Sequence, residues 1–312
     1  MRFLMFQHAG ERRLGIVHGA NLDEVVDLVE VAASERSAPA DLLSVIDLGD
    51  VGLNHIRQLL TSTKASSGAP FVRRFQDLRI LPPLDPPRGD VLAIGRNYER
   101  HAAESARAWG EQVKPPTIFT KAQTSLTGPF DDIPIDPVVS EKIDWEAELG
   151  VVIGRGGANI KAADAMRHVF GYTVVNDVSA RDIQNGWGGQ FFKGKSLDGS
   201  SPIGPWVVTA DEIPDPQSLR VSLRVNGEVK QDGNTRDMIY PIAQLIVWLS
   251  VGMTLRPGTL IATGTPDGVG FARTPPEFLK PGDVVETEVE RIGLMRNRMV
   301  AAAVAARRWE GT

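Results

Sequence analysis

Glycine and proline, 31 and 21 of them, are scattered along the chain rather than clustered, and this spacing constrains the fold more than any other feature. Proline removes a backbone donor and glycine frees the backbone to turn, so long uninterrupted elements have little room. Short apolar runs fit between the breakers: Arg2–Phe6, Leu14–Val17, Val91–Ile94, Thr117–Phe119, Trp145–Ile153, Val169–Val175, Trp206–Thr209, Leu219–Val225, Thr259–Thr263 and Val284–Val289. Runs of this kind, bounded by turn residues, read as strands, the first two as a hairpin around Gly10. Helical spacing is confined to a few places. Two short helices follow the hairpin, the clearer one carrying Leu53, Ile56, Leu59 and Leu60 on one face, with Gly52 before it and Ala65–Pro70 after it. Another runs from Tyr98 to Trp109, and Ile239, Ile242, Ile246 and Leu249 mark a last one. Pro241, Gln244, Ser250 and Gly252 interrupt that final stretch, which makes it a buried helix and not a membrane span. The expectation is a β-rich α+β protein.

The proline cluster Leu81-Pro82-Pro83-Leu84-Asp85-Pro86-Pro87 forbids regular structure and sets the expected boundary between a small α+β domain, 1–85, and a main domain, 86–312. A net charge of −5 without a Lys/Arg stripe argues against a nucleic-acid partner. The absence of cysteine excludes disulfides, thiolate nucleophiles, cysteine-ligated zinc and iron–sulfur clusters. Phe3-Leu4-Met5-Phe6 is too short for the core of a signal peptide, so a cytoplasmic protein with no membrane partner is expected.

Several familiar motifs fail on context. Gly189 to Ser196 matches the P-loop pattern, yet it follows a polar, Gly-rich segment instead of a strand, and Leu197–Pro202 cannot open a helix. Gly154-Arg155-Gly156-Gly157 lacks the third glycine of a dinucleotide fingerprint, Asn159 standing in its place. No Gly-X-Ser-X-Gly elbow and no His-Glu-X-X-His pair occurs.

The informative constellation is acidic. A period of two places Asp144, Glu146 and Glu148 on one strand face, with Trp145, Ala147 and Leu149 on the other. A solvated edge strand explains the alternation equally well. The continuous apolar run Leu149–Ile153 tips the balance, because it belongs to a strand buried on both faces, and carboxylates at its mouth need a counter-charge. A hard divalent cation, Mg²⁺ or Mn²⁺, supplies one through oxygen ligands. Asp177, where the run Val169–Val175 ends, is the third carboxylate candidate. His101 and Glu104 share a helix face three residues apart. Taken alone they fit a solvated helix, with Glu104 paired to Arg100 or Arg107, better than a catalytic couple.

Taken in order, Gly95-Arg96-Asn97-Tyr98 with His101 and Glu104, Glu146-X-Glu148, Asn176 to Gln184, Gly194-Lys195-Ser196 and Thr263-Gly264-Thr265-Pro266 resemble the fumarylacetoacetate hydrolase family over about residues 89–308. The resemblance implies a rolled mixed β-sheet, a homodimer, and Mg²⁺ or Mn²⁺, with Ca²⁺ as a substitute, held by Glu146, Glu148 and Asp177. It also implies that Lys195 and Gln184 lie near a small 2-oxo acid substrate with Arg181 beside them. Thr265 would meet the substrate's carbonyl or carboxylate end, and Arg96 and Tyr98 belong to the same binding set. His101 and Glu104 match the acylpyruvate-hydrolase and oxaloacetate-decarboxylase branch, where they lie on a lid helix. The expected activity is metal-dependent hydrolysis of a C–C bond in acylpyruvates or related 1,3-diketo acids. The alternative is decarboxylation or isomerisation of oxaloacetate or 2-oxo-dienedioates on the same scaffold. A silent binding module and a structural dimer are weaker readings, because neither has a use for the three carboxylates together with the His/Glu pair.

Overall fold

The computed structural model describes residues 1–19, 21–31, 39–63, 68–89, 91–109 and 115–302. Strands dominate. The chain opens with the expected hairpin, β1 (Arg2–His8) and β2 (Glu11–His18), turning at Ala9 and Gly10, both at positive φ. Then come β3 (Glu24–Asp27), α1 (Leu28–Val31), α2 (Leu42–Ser62), β4 (Val72–Arg74) and β5 (Arg79–Leu81). The second helix is longer than the apolar spacing suggested. Asp41 caps it by accepting the Ser44 N–H at 2.8 Å, and it continues past a kink at Gly49 (φ 54°), so Gly52 lies inside the helix and not before it. Part of the stretch expected to follow, residues 64–67, lies outside the described residues, as does Gly110 after the helix expected over Tyr98 to Trp109.

Beyond the proline cluster run β6 (Val91–Gly95), α3 (Glu99–Trp109), β7 (Thr117–Lys121), β8 (Leu126–Thr127), β9 (Ile133–Ile135), β10 (Ile143–Asp144), β11 (Ala147–Ile153), β12 (Val169–Asn176) and β13 (Ser179–Ala180). The chain continues through α4 (Arg181–Gly186), β14 (Ser201–Thr209), β15 (Arg220–Val225), β16 (Glu228–Asn234), α5 (Ile242–Ser250), β17 (Leu260–Ala262), β18 (Val284–Val289) and β19 (Gly293–Ala301). One mixed sheet has the order β4-β3-β2-β1-β14-β12-β11-β17-β6-β7. The leading strands extend it directly, since β1 pairs antiparallel with β14 at Arg2↔Val208 and Phe3↔Val207. A second sheet, β16-β15-β18-β19-β9, packs beside it.

One strand reading and one helix reading change on inspection. The run from Trp145 to Ile153 is broken: the Asp144 carboxylate accepts the Trp145 N–H at 2.8 Å, a local bond that replaces a ladder bond and ends β10. Ile239 precedes α5 because Asn97 ties this stretch down before the helix starts, its backbone carbonyl accepting the Ile239 N–H at 2.7 Å and its side chain the Tyr240 N–H at 2.8 Å. The reading of Leu149–Ile153 as doubly buried is realised. All of β11 and β12 is buried, with β11 between β12 and β17. No helix among the described residues is long and apolar enough to cross a membrane.

Candidate active site

Strand ends bring the carboxylates together. Glu146 precedes β11, Glu148 lies on it, and Asp177 follows β12, with the Asp177 N–H donating to the Glu146 carbonyl at 2.9 Å. The Glu146 N–H is held by the Asn176 side-chain oxygen at 3.0 Å, which fixes the exit of one strand against the entrance of the other. One oxygen from each of Glu146, Glu148 and Asp177 lies within 4.8 Å of the other two, and all three residues are buried. Oxygens sharing one Mg²⁺, Mn²⁺ or Ca²⁺ at about 2.0–2.6 Å each are separated by no more than about 5 Å, so the cluster has the size of one hard-cation site. Asp144 stands outside it, accepting from Arg181 and from the Gly270 and Phe271 N–H groups.

Three buried cations face this wall. Lys195 reaches Glu146 and Asp177 at 2.8 Å each, Arg181 reaches Glu146 at 2.7 Å and Asp144 at 2.8 Å, and Lys121 bonds Asp177. Burial alone would raise the Glu146 carboxyl, but Lys195 and Arg181 outweigh it and hold the group at about 2. Lys195 and Arg181 are driven upward by the same pairs against their own burial, whereas burial wins at Lys121 and lowers it. Four carboxylates meet three cations, and Glu148 is the carboxylate without one. Its partner is the Gly264 N–H at 2.8 Å, and burial followed by the charges of Asp177 and Glu146 pushes it well above the ordinary carboxylate range. A buried carboxylate so placed is short of one positive charge, and the donor set fits a divalent cation at this point.

Opposite the triad stands α3. His101, 2% exposed, is hydrogen-bonded through Nδ1 to Glu104 at 2.8 Å, and the second oxygen of Glu104 accepts the Gly268 N–H at 3.1 Å. Glu104 therefore serves His101 and a backbone amide, not Arg100, and the Arg107 side chain lies outside the described residues. Between helix and triad is a narrow, partly open cleft with room for about 10 Å³, walled by Arg96, His101, Glu146, Gln184, Lys195 and Thr265. Phe119 and Phe191, packed edge to face at 5.5 Å, close its apolar side, and Lys195 lies 5.3 Å from the Phe119 ring centre.

The structure places the remaining expected residues as follows. Arg181 is a fully buried strut between Asp144, Glu146 and Gln184, stacked 4.5 Å from the Phe271 ring centre. The Thr265 hydroxyl is committed to protein, donating to the Ala147 carbonyl at 2.9 Å and accepting from Gln231 at 2.8 Å. Tyr98 belongs to the hydrophobic core and does not line the cavity. Arg96 lines it from a positive φ of 57°. The P-loop-like segment forms one 3₁₀ turn, Lys193–Lys195, and runs on to β14 without a helix, leaving Lys195 turned to the carboxylates. Sequence reasoning passed over Lys121, Phe119, Phe191 and Gln231. The run Thr117–Phe119 pointed to Lys121, because the strand continues for two residues and its alternation turns Lys121 to the side of Phe119.

These features define a strand-borne acidic triad of the size of a metal site under a histidine-bearing helix, and the fold around it has known counterparts. The family model of the fumarylacetoacetate (FAA) hydrolase C-terminal domain matches residues 90–300, and the chain belongs to that family. It is 41% identical over 303 residues to the mitochondrial oxaloacetate tautomerase FAHD2A of Bos taurus, covering 96% of this chain and 92% of that protein. It is also 41% identical over 266 residues to the oxaloacetate tautomerase YisK of Bacillus subtilis, covering 85% and 88%. Maleylpyruvate hydrolase from Sphingobium sp. SYK-6, in complex with manganese(II) ion and pyruvate, superposes with a TM-score of 0.76 at 28% identity, covering 97% of this chain and all of that one. The relatives thus favour the isomerase alternative over the hydrolase expectation.

Proposed function

We propose that the protein is a Mg²⁺- or Mn²⁺-dependent keto–enol tautomerase of a small 2-oxo dicarboxylic acid, with oxaloacetate the first candidate. The observation that carries this reading is a proton-handling couple, His101–Glu104, facing a small cleft whose polar walls include Lys195, Arg96 and Gln184. The 41% identity to two oxaloacetate tautomerases supports it.

Enol and keto forms differ by one proton, which leaves the enol oxygen and arrives at the neighbouring carbon. No water is consumed and no C–C bond breaks. Glu104 occupies Nδ1 of His101, so Nε2 is the nitrogen that holds and delivers the proton on the cavity side. A divalent cation held by Glu146, Glu148 and Asp177 would supply Lewis acidity that polarises the 2-oxo group. Lys195 and Arg96 bring positive charge to the substrate's carboxylates.

A second reading, C–C hydrolysis, draws on the same dyad taking a proton from water and on the likeness to maleylpyruvate hydrolase. The two separate in one assay. Purified protein with Mn²⁺ or Mg²⁺ is given enol-oxaloacetate, and loss of enol absorbance is followed together with products. Faster ketonisation without cleavage or decarboxylation is expected. No acceleration on oxaloacetate, beside rapid cleavage of an acylpyruvate, would establish the hydrolase instead. We also retain the homodimer as part of the proposal, to be checked by sedimentation.

A further inference from the structure

The second sheet reaches the active site through its edge strand. Of β16's seven residues only Gln231 is buried, and its amide is fully spent on the loop that follows β17 and on the strand carrying the triad. Its oxygen accepts the Ala147 N–H at 2.9 Å, and its nitrogen donates to the Thr265 hydroxyl and to the Pro266 carbonyl, each at 2.8 Å. Two neighbours complete the bed. A Cβ at Gly268 (φ 100°) would collide with the Lys230 carbonyl oxygen, and a Cβ at Gly233 would collide with Pro266. Residues 264–268 thus lie on β16 at three points. From that seat the loop offers two backbone donors in opposite directions, Gly264 N–H to Glu148 of the triad and Gly268 N–H to Glu104 of the dyad.

We propose that Gln231 is a positioning residue that seats the loop 264–268 on β16, so that one rigid loop aligns the carboxylate triad and latches the His101–Glu104 helix at the same time. The inference rests on the cavity being the catalytic centre but not on which 2-oxo acid is turned over. Gln231 touches neither the cavity nor a triad carboxylate, so its effect passes through the loop and through the Ala147 backbone between Glu146 and Glu148. Losing the seat releases both donors together.

The test uses the full-length protein and two readouts that need no substrate. Manganese affinity is measured by calorimetry with MnCl₂, and amide hydrogen exchange is followed over 263–268 and over α3. Gln231→Glu keeps the shape and the acceptor for Ala147 but loses both donors, and Gln231→Met loses every bond. Outer supports of metal ligands typically contribute about 10–100-fold in affinity, so a loss of about tenfold in Mn²⁺ affinity is expected in both. Faster exchange confined to the loop and α3 should accompany it, with exchange in β18 unchanged. With the acid the wild type uses best, KM should rise more than kcat falls, because the latch on the helix is weakened. If the glutamate and methionine variants keep wild-type Mn²⁺ affinity and loop exchange, the proposal is overturned. Should neither fold, Gly233→Ala displaces Pro266 from the seat while leaving the Gln231 side chain itself unaltered, and it must produce the same local signature or the proposal fails. Val229→Thr, on a half-exposed position of the same strand, should change nothing. An effect there as large as at Gln231 would mean general weakening of β16 and would equally overturn the assignment. A wild type inactive on every 2-oxo acid would sink the proposed function and leave the two substrate-free readouts standing.

Discussion

The two walls of the cavity are built in opposite ways. The acidic wall grows out of β11 and β12, central strands of the large sheet, and its backbone is tied at Glu146, Asn176 and Asp177. The helix wall is tied at its start, where the Asn97 amide donates to the Tyr240 and Thr263 carbonyls at 3.1 and 2.8 Å, and again at Glu104, which accepts the Gly268 N–H. One wall cannot move without breaking a sheet, whereas the other is held to the loop after β17 through one side-chain bond, from Gly268 to Glu104. On the proposed function the division suits the chemistry: charge is concentrated where geometry is most fixed, and the proton is handled on an element tied by fewer bonds.

The contrast predicts unequal losses. Glu148→Gln should be the most damaging substitution, because it removes the carboxylate that lacks a buried cation and so removes the reason for a divalent ion to bind. Lewis-acid stabilisation is worth several kcal/mol, so turnover should fall by about 10³-fold or more, with Mn²⁺ binding lost in calorimetry. Undiminished Mn²⁺ affinity in this variant would dissolve the distinction between the walls. His101→Ala should come next, losing about 10²–10⁴ in turnover, the ordinary contribution of a positioned acid–base, while Mn²⁺ affinity stays as in the wild type. A parallel loss of metal affinity would show that the helix wall also builds the metal site. Leu149→Ala tests the rigid wall by stability: the side chain is fully buried in β11, and its truncation should cost about 2–5 kcal/mol in denaturant unfolding.

The same contrast governs what the sequence revealed. Glu146 and Glu148 stood out because strand periodicity and the apolar run Leu149–Ile153 are local signals, and Asp177 because its strand ends in a visible polar cluster. The pairing of His101 with Glu104 is local too, three residues along one helix. What it is latched to is not, since Gly268 lies 164 positions away. Gln231 was hidden for a related reason. Its strand, Glu228–Asn234, is almost wholly polar and owes its ladder to β15, so no periodicity marks it. Lys121 closes a five-residue strand, and nothing nearby in sequence reveals the buried aspartate it meets. The breaks at Trp145 and Ile239 escaped because each is made by a partner the apolar pattern does not show, the Asp144 side chain at Trp145 and the backbone and side chain of the distant Asn97 at Ile239 and Tyr240.

Glu104→Gln should have the smallest effect of these, and its size decides what Glu104 does. The amide is isosteric and keeps one oxygen to accept either from Gly268 or from His101, so the helix can still close. What disappears is the charge. Hydrogen bonds to charged groups are worth about 1.5–3 kcal/mol against about 0.5–1.5 for neutral ones, a difference of about 1–1.5 kcal/mol, which is roughly tenfold in rate. If Glu104 only orients the ring and holds the latch, turnover should fall by about that factor, and KM for the acid should rise by a similar one as the latch weakens. A loss as large as that of His101→Ala, with KM unchanged, would mean that the carboxylate charge stabilises a protonated His101 during the reaction. The helix wall would then hold a working ion pair and would no longer be the loosely bound partner of the acidic one.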